Sequence, residues 1–270
     1  MPLVVCPTPI GNLEDVTLRV LRELAEADAV LCEDTRRTRI LLGRHGVSAR
    51  LESYHRHNEA RRTEELLPRL RAGERIALAS DAGLPGVNDP GARLIAAAIA
   101  AGVEVTVLPG PSAVETALVA SGLLGERYLF VGYLPRGRDA LRRLWEELAG
   151  WRAPVVAFES PRRLPASLAS LAEADPERPV AVCRELTKLF EDVVRGTARE
   201  VAAQYGDPPK GEITVVIGPS ESIGERAREV EEAAAALAEL VAAGVPRGRA
   251  AALVSRLTGV PRNRLYRTGL

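Results

Sequence analysis

Short apolar runs and amphipathic stretches alternate along most of this chain. Residues 3–6, 29–32, 75–80, 103–108 and 128–132 are mostly apolar runs bounded by turn residues, the pattern of buried strands. Residues 51–54 form a shorter extended piece. Between them, residues 17–27 place Leu18, Leu21, Leu24 and Ala25 at helical spacing, and Asn58 is positioned to cap a helix through residue 70. Ser112 and Glu115 have the S-x-x-E spacing of a capping box, which predicts a helix over 113–120. Asp89-Pro90 predicts another helix start, with Asp89 as N-cap and Pro90 in the first turn.

The alternation resumes after a hinge-like stretch, Tyr133-Leu134-Pro135-Arg136-Gly137-Arg138. Residues 154–158, 179–183, 193–194 and 212–217 read as strands. Ser160-Pro161 reads as a helix start and 198–204 as a helix. Strands alternating with helices imply mostly parallel sheets covered on both faces. The expected architecture is therefore an α/β unit over 1–132, a second over 133–218, and a polar linker over 218–224. Residues 226–270 read as an all-helical module: 226–243 is rich in Ala and Glu, Gly244 stops it, and Pro246 and Pro261 each open a short helix. Residues 244–270 hold six arginines and no acid. That fits either a helix-turn-helix-like module or a small bundle docked on the body.

The predicted strands end in polar or Gly/Pro clusters at residues 8–12, 33–37, 81–91, 110–112 and 159–163. In an alternating α/β topology strand ends share one edge, where ligands bind, so these clusters should converge. The richest is 81–91, with three glycines, two prolines and two aspartates. Glycines let backbone approach a small molecule closely, and Asp81 can accept hydrogen bonds or face a cation. The run is longer than a strand-to-helix turn requires and reads as a binding loop. Tyr54-His55-Arg56-His57-Asn58 reads as a solvated loop that could also contact a substrate.

Composition narrows this picture. Of 270 residues, 46 % are apolar and 4 % aromatic, so the core is expected to be built from Leu, Val, Ala and Ile. No apolar run approaches membrane-spanning length and the first residues lack a signal-peptide layout, which points to the cytoplasm. Cys6, Cys32 and Cys183 lie far apart inside predicted strands and are expected as buried thiols, not disulfides or metal ligands. There is no metal-ligand spacing, no Walker A, and no G-x-G-x-x-G after the first strand. The zero net charge argues neither for nor against an anionic partner, but nearly every base is Arg, with Lys only at Lys188 and Lys210.

Thr8-Pro9-Ile10-Gly11-Asn12-Leu13, Glu33-Asp34-Thr35-Arg36, Ser80-Asp81-Ala82-Gly83-Leu84-Pro85, Asp89-Pro90-Gly91 and Pro109-Gly110-Pro111-Ser112-Ala113 resemble signatures of the tetrapyrrole-methylase superfamily. Phe130-Val131-Gly132-Tyr133-Leu134-Pro135, Glu159-Ser160-Pro161-Arg162-Arg163 and Arg184-Glu185-Leu186-Thr187-Lys188 narrow the resemblance to its bacterial ribosomal RNA cytidine 2′-O-methyltransferases. The resemblance covers essentially the whole chain. Pro9-Ile10-Gly11 stands where the superfamily often has G-x-G-x-G, as it does in that branch.

The resemblance implies an α/β fold of two α/β/α domains with a cofactor cleft between them and a small C-terminal helical module. S-adenosylmethionine is expected against Ile10, Gly11, Asp81, Ala82, Gly83, Leu84, Ser112 and Ala113 from the first domain, and Phe158, Leu186, Glu212 and Ile213 from the second. The implied reaction is methyl transfer from sulfur to a cytidine ribose in 16S ribosomal RNA, in the decoding region of the small subunit, by a homodimer. The leaving group is good, so positioning should supply much of the acceleration, while the hydroxyl still needs a proton acceptor. Candidates for that acceptor are Glu33, Asp34, Glu159, Glu185 and Glu191. Lys188 or Arg163 could hold phosphate or developing charge, and the residues alone do not choose among these. RNA contacts through phosphates are expected at Arg36, Arg37, Arg39, Arg162 and Arg163, and at Arg262 and Arg264 in the tail.

Two rival readings differ in one feature each. A corrin or porphyrin methyltransferase would share fold and cofactor but would not need the Arg-rich strand ends or the basic tail. A DNA-binding regulator would read duplex with residues 244–270 and use the body as a sensor, and would bind without methyl transfer.

Overall fold

The computed structural model describes residues 2–220, 223–260 and 262–265. The first sheet holds β1 (Leu3–Cys6), β2 (Ala29–Cys32), β3 (Leu51–Ser53), β4 (Ile76–Ala79) and β5 (Val105–Val107). They pair in the order β3-β2-β4-β1-β5, all parallel. The two-residue period of the strands sends Val4, Cys6, Val30, Ala77 and Ala79 to one face, against α1 (Leu18–Glu26) and α2 (Thr35–Arg44). Leu3, Leu31, Ile76 and Leu78 go to the other, against α3 (Glu59–Arg71) and α4 (Ala92–Ala100). Both faces are covered, as a parallel sheet requires.

The second sheet holds β6 (Leu129–Tyr133), β7 (Val155–Glu159), β8 (Pro179–Arg184), β9 (Asp192–Thr197) and β10 (Ile213–Ile217), in the order β6-β7-β10-β8-β9. Here the expectation of a mostly parallel sheet is corrected. The β6–β7 pair is parallel, but β10 runs antiparallel to β7 and β8, and β9 antiparallel to β8. The run at 128–132, expected to close the first half, instead supplies β6 and opens the second sheet. The change of sheet thus falls before β6, not at residue 133. Helix α5 (Ala113–Ser121) lies against the second sheet, packing Val114, Ala117 and Leu118 on Val156, Ala181, Cys183 and Val216. The opposite face is covered by α6 (Arg138–Leu148), α7 (Leu164–Ala174) and α8 (Ala198–Gln204). A helix from the first half therefore completes the second layer and locks the halves together.

Helix α2 is an addition to the expected elements. Its exposed Arg-rich first turn hides a buried stripe of Thr38, Leu41 and Leu42. Two expected helix starts and two expected caps are corrected. Helix α4 begins at Ala92 with Gly91, at φ 135°, in the cap position, so Asp89 stays in the loop and caps nothing. A Cβ at Gly91 would lie 2.8 Å from Leu78 Cδ2, so both backbone angle and space demand glycine there. Helix α7 starts at Leu164, after a turn over 161–163, not at Pro161. The Ser112 hydroxyl turns to the Glu115 carboxylate instead of a backbone N–H, leaving the expected capping box open. Asn58 precedes α3 without capping it, its Oδ1 accepting from the His55 N–H at 2.8 Å.

The three cysteines are free and buried, and burial pushes the Cys6 thiol up to about 12. The C-terminal module comprises α9 (Ile223–Ala242), α10 (Arg247–Thr258) and α11 (Arg262–Leu265). It packs Ala233, Leu237, Ala250, Ala251, Val254, Val260 and Leu265 into a core of its own. Among the described residues, no helix is long and apolar enough to cross a membrane.

Candidate active site

The carboxyl ends of β1, β2, β4 and β5 open onto one cavity of about 1520 Å³, closed on its far side by β6, β7 and β10. Small-molecule pockets run to about 300–1,000 Å³, so this one has room for two ligands side by side. All five sequence clusters contribute to its wall: Ile10, Glu33 to Arg37, Asp81 to Leu84, Gly110 with Ser112, and Glu159 to Pro161.

Its floor is the turn after β4. Thr8 and Gly83 exchange two backbone hydrogen bonds at 2.9 Å, and the Thr8 hydroxyl lies 3.0 Å from the Ser80 carbonyl. Gly83 adopts φ 78° against Ile10 and Pro111, so the backbone angle, more than a lack of space, requires glycine here. Asp81 accepts the Asp34 N–H at 2.9 Å and lies 3.6 Å from Arg37 Nη1. This carboxylate therefore joins the ends of β4 and β2. Asp34 in turn caps α2 through the Arg36 N–H and is gripped by the Arg36 guanidinium. Those bonds, the side-chain one first, hold its carboxyl down at about 2.

The opposite wall is aromatic. Phe130 and Tyr133 from β6 meet Phe158 from β7 edge to face, with centroids 5.1 and 5.6 Å apart. Ile213 and Glu212 complete that wall from the second sheet. Beside it, Glu115 accepts from the Ser112 hydroxyl and from Tyr128 Oη.

Of the expected cofactor contacts, Ile10, Asp81, Ala82, Gly83, Leu84, Ser112, Ala113, Phe158, Glu212 and Ile213 all line the cavity. Gly11 and Leu186 stand behind it. A Cβ at Gly11 would lie 2.5 Å from Lys188 Cγ and 2.8 Å from the Leu186 carbonyl, so Gly11 lets the two domains touch. Of the catalytic candidates, Glu33 lines the cavity and is exposed, while Lys188 and Glu191 do not line it. Lys188 Nζ bonds Glu185 at 2.7 Å and Glu212 at 3.1 Å. Glu191 accepts the Thr187 N–H at 2.6 Å, inside the same loop. Glu159 is fully buried, held by Arg163 at 2.5 Å, by the Ser160 N–H and by the Ser167 hydroxyl.

Among the expected RNA contacts, Arg36 and Arg37 are exposed on the cavity rim and Arg162 is exposed just beyond Pro161. Arg163 instead bridges Glu159 to the Leu134 carbonyl, a structural role at the hinge. Arg262 is exposed on α11, and the Arg264 side chain lies outside the described residues.

Three features of the wall escape the sequence reading. Asp89, read as a helix cap, lines the cavity instead. Its carboxyl is pushed up to about 7, by burial first and then by Glu33 and Asp81, with Arg56 opposing. His55 and His57, on a loop expected to be solvated with substrate contact as the alternative, also line the cavity, and His55 Nδ1 is buried without a hydrogen-bond partner among the described residues. Tyr128, expected in a strand, and Tyr133, expected in the hinge-like stretch, both line the cavity. The signal for Asp89 was available: an acid between Asn88 and Gly91 in a loop too long for a simple turn.

S-adenosylmethionine needs apolar and aromatic walls for adenosine, backbone donors and acceptors, and carboxylates for its cationic groups. The Phe158 wall, the Gly83 turn, Asp81 and Glu212 provide that set in one cavity, so the residues fit the cofactor.

Residues 2–202 match the family described as Tetrapyrrole (Corrin/Porphyrin) Methylases. Residues 227–270 match the RsmI C-terminal HTH domain. The chain is 46 % identical over 264 residues to the ribosomal RNA small subunit methyltransferase I of Mesorhizobium japonicum, covering 96 % of this chain and 88 % of that one. It is 42 % identical over 220 residues to the enzyme of the same name from Thermotoga maritima, covering 81 % and 99 %. In fold it is similar to a uroporphyrin-III C-methyltransferase from Thermus thermophilus solved with S-adenosylhomocysteine. The TM-score is 0.55 at 21 % identity, covering 80 % of this chain and 97 % of that one.

Proposed function

Because the chain belongs to the tetrapyrrole methylases, and within them to the ribosomal RNA small subunit methyltransferase I group, we propose that it methylates a cytidine ribose 2′-oxygen of 16S ribosomal RNA. The target lies in the decoding region of the small subunit, and the enzyme works as a cytoplasmic homodimer. It is an S-adenosylmethionine-dependent ribosomal RNA methyltransferase.

The observation that carries the ribose reading is the asymmetry of the cavity. The interior, between the tight glycine turn and the aromatic wall opposite it, suits a nucleoside-bearing cofactor. The rim carries the exposed Arg36, paired with Asp34, and Arg37, near Asp81, suited to a phosphodiester strand presenting a hydroxyl. The relatives support RNA over a corrin: those named for ribosomal RNA are twice as identical as the uroporphyrin enzyme.

S-adenosylmethionine, when bound, supplies an electrophilic methyl group on a positively charged sulfur. Ala82, Gly83, Leu84, Ser112 and Ala113 would hold it with backbone groups, Phe158 and Ile213 with apolar surface, and Asp81 with charge. The interlocked sheets fix both walls, so the chain contributes chiefly by positioning the hydroxyl and excluding water. Arginines at the rim hold phosphates and orient the strand.

The test is labelled methyl transfer to small subunits lacking 2′-O-methylation, followed by mapping of the modified nucleotide. A 2′-deoxycytidine at the mapped position should abolish methylation while largely preserving binding, since phosphates supply most of the affinity. Label on that deoxy substrate would move the chemistry to the base.

A further inference from the structure

The loop between β4 and α4 presents a carboxyl group to the cavity, that of Asp89. Asp89 lines the cavity, and among the described residues no hydrogen bond or ion pair holds its carboxyl. Its backbone is braced on both sides. Asn88 sits at φ 58° with its amide against Gly132 of β6, where a Cβ would lie 3.2 Å from Nδ2, and Gly91 turns at φ 135° to start α4. The bracing keeps Asp89 out of the helix cap and at the cavity.

The other acids are occupied or solvated. Asp81 accepts the Asp34 N–H, Asp34 is held by Arg36, Glu159 by Arg163, and Glu191 by the Thr187 N–H. Glu33 is exposed. The charged groups that act on Asp89 are Glu33 at the end of β2, Asp81 at the end of β4 and Arg56 on the loop after β3. His55 and His57 line the same cavity.

We propose that Asp89 is the catalytic proton acceptor of the methyl transfer, an inference that rests on the 2′-oxygen reading. In the step, the ribose O2′–H bond breaks and its proton passes to an Asp89 carboxylate oxygen. The oxygen forms the new bond to the methyl carbon as the carbon–sulfur bond breaks, with that bond's electron pair staying on sulfur. The products are the 2′-O-methyl ribose, S-adenosylhomocysteine and a protonated Asp89, which returns its proton to solvent. Burial beside two acids raises Asp89 to about 7, which makes it a far stronger base than an ordinary carboxylate yet still ionised in good part at neutral pH.

The test is Asp89→Asn, which keeps the shape and removes the base. S-adenosylmethionine affinity by calorimetry should stay within about threefold, while the single-turnover methylation rate falls by about 10²–10⁴-fold. The wild-type profile of kcat/KM should rise with pH through about 7, and that rise should vanish in Asp89→Asn but survive in Asp89→Glu. A readout independent of turnover is proton release. The cofactor's positive charge favours the carboxylate form, so binding at pH 7 in buffers of different ionisation heat should release protons from wild type and not from Asp89→Asn. A rate within threefold of wild type, a parallel loss of cofactor affinity, or unchanged proton release each overturns the proposal. The deoxy substrate on wild type separates the two readings. If it is methylated, the 2′-oxygen reading fails; if it is inert while Asp89→Asn stays active, Asp89 alone is wrong.

Discussion

The Asn12 backbone N–H donates to the Thr187 hydroxyl at 3.0 Å, tying the first loop of one sheet to the β8–β9 loop of the other. Gly11, next to it, sits where a Cβ would meet Lys188 Cγ, Thr187 Oγ1 and the Leu186 carbonyl at 2.5 to 2.8 Å. A flexible lysine can swing away, but a backbone carbonyl cannot. Gly11→Ala should therefore push the domains apart, costing about 1–3 kcal/mol in chemical denaturation and weakening S-adenosylmethionine binding. Gly43→Ala, where nothing lies within 4 Å, is the control. It should be neutral or stabilise by about 0.5–1 kcal/mol.

Asp81 carries two duties that substitutions can separate. Asp81→Asn keeps an acceptor for the Asp34 N–H and removes the charge that faces Arg37 and the cofactor. Asp81→Ala also leaves that N–H without its partner, a penalty of about 1–3 kcal/mol where solvent does not replace it. The expected result is weaker cofactor binding in both by calorimetry, with a lowered melting temperature only in the Ala variant. Equal melting of the two would remove Asp81 from its place as a tie between β2 and β4.

Two acids should move stability in opposite directions with pH. Asp89, raised to about 7, favours the folded state while protonated, so its contribution is lost as pH rises through about 7. Asp89→Asn should melt like wild type only below the ordinary carboxylate range, near pH 3, with its advantage growing as pH rises to about 7 and reaching several degrees at pH 8. Glu52 is held down at about 2, first by the hydrogen bond from Arg69 and also by Arg62. Its contribution is present above the ordinary carboxylate range and lost as pH falls through about 2. Glu52→Gln should melt below wild type at pH 7, with the gap closing in acid. A gap that is constant with pH would mean packing, not charge, is responsible.

The convergence of strand ends was legible because parallel topology leaves little choice: residues 8–12, 33–37, 81–91 and 110–112 had to share an edge. Sheet membership was not legible. Residues 128–132 are equally good for either sheet, and what assigns them is α5 packing its Ala117 and Leu118 on the second one. The antiparallel pairing of β10 is likewise a product of long-range fit, since Val215 and Val216 face α6–α8 and α5 respectively in either direction. Helix starts failed where a local motif met a tertiary demand. Asp89-Pro90 and Ser160-Pro161 both have cap chemistry, yet Gly91 and the Glu159–Arg163 pair reset where the helices begin. These resets surround the cavity, where local preference yields to the site.

The C-terminal module offers the sharpest test of how RNA is held. Its core is made of its own residues, and residues 244–270 carry six arginines with no acid. Arg249 and Arg262 are exposed on α10 and α11. Deleting residues 226–270 should leave the two sheets and their cavity intact, with S-adenosylmethionine affinity nearly unchanged. RNA affinity should fall most at low salt, because contacts to phosphates gain their free energy from released counterions. Each lost contact should reduce the slope of log affinity against log salt by about 0.7 for single-stranded RNA. A strut would behave differently: its removal would lower cofactor and RNA affinity together and depress the melting temperature. If the truncated protein folds and binds RNA with the original affinity and slope, the arginines are only a solvated face, and strand recognition falls to Arg36, Arg37 and Arg162 at the cavity rim.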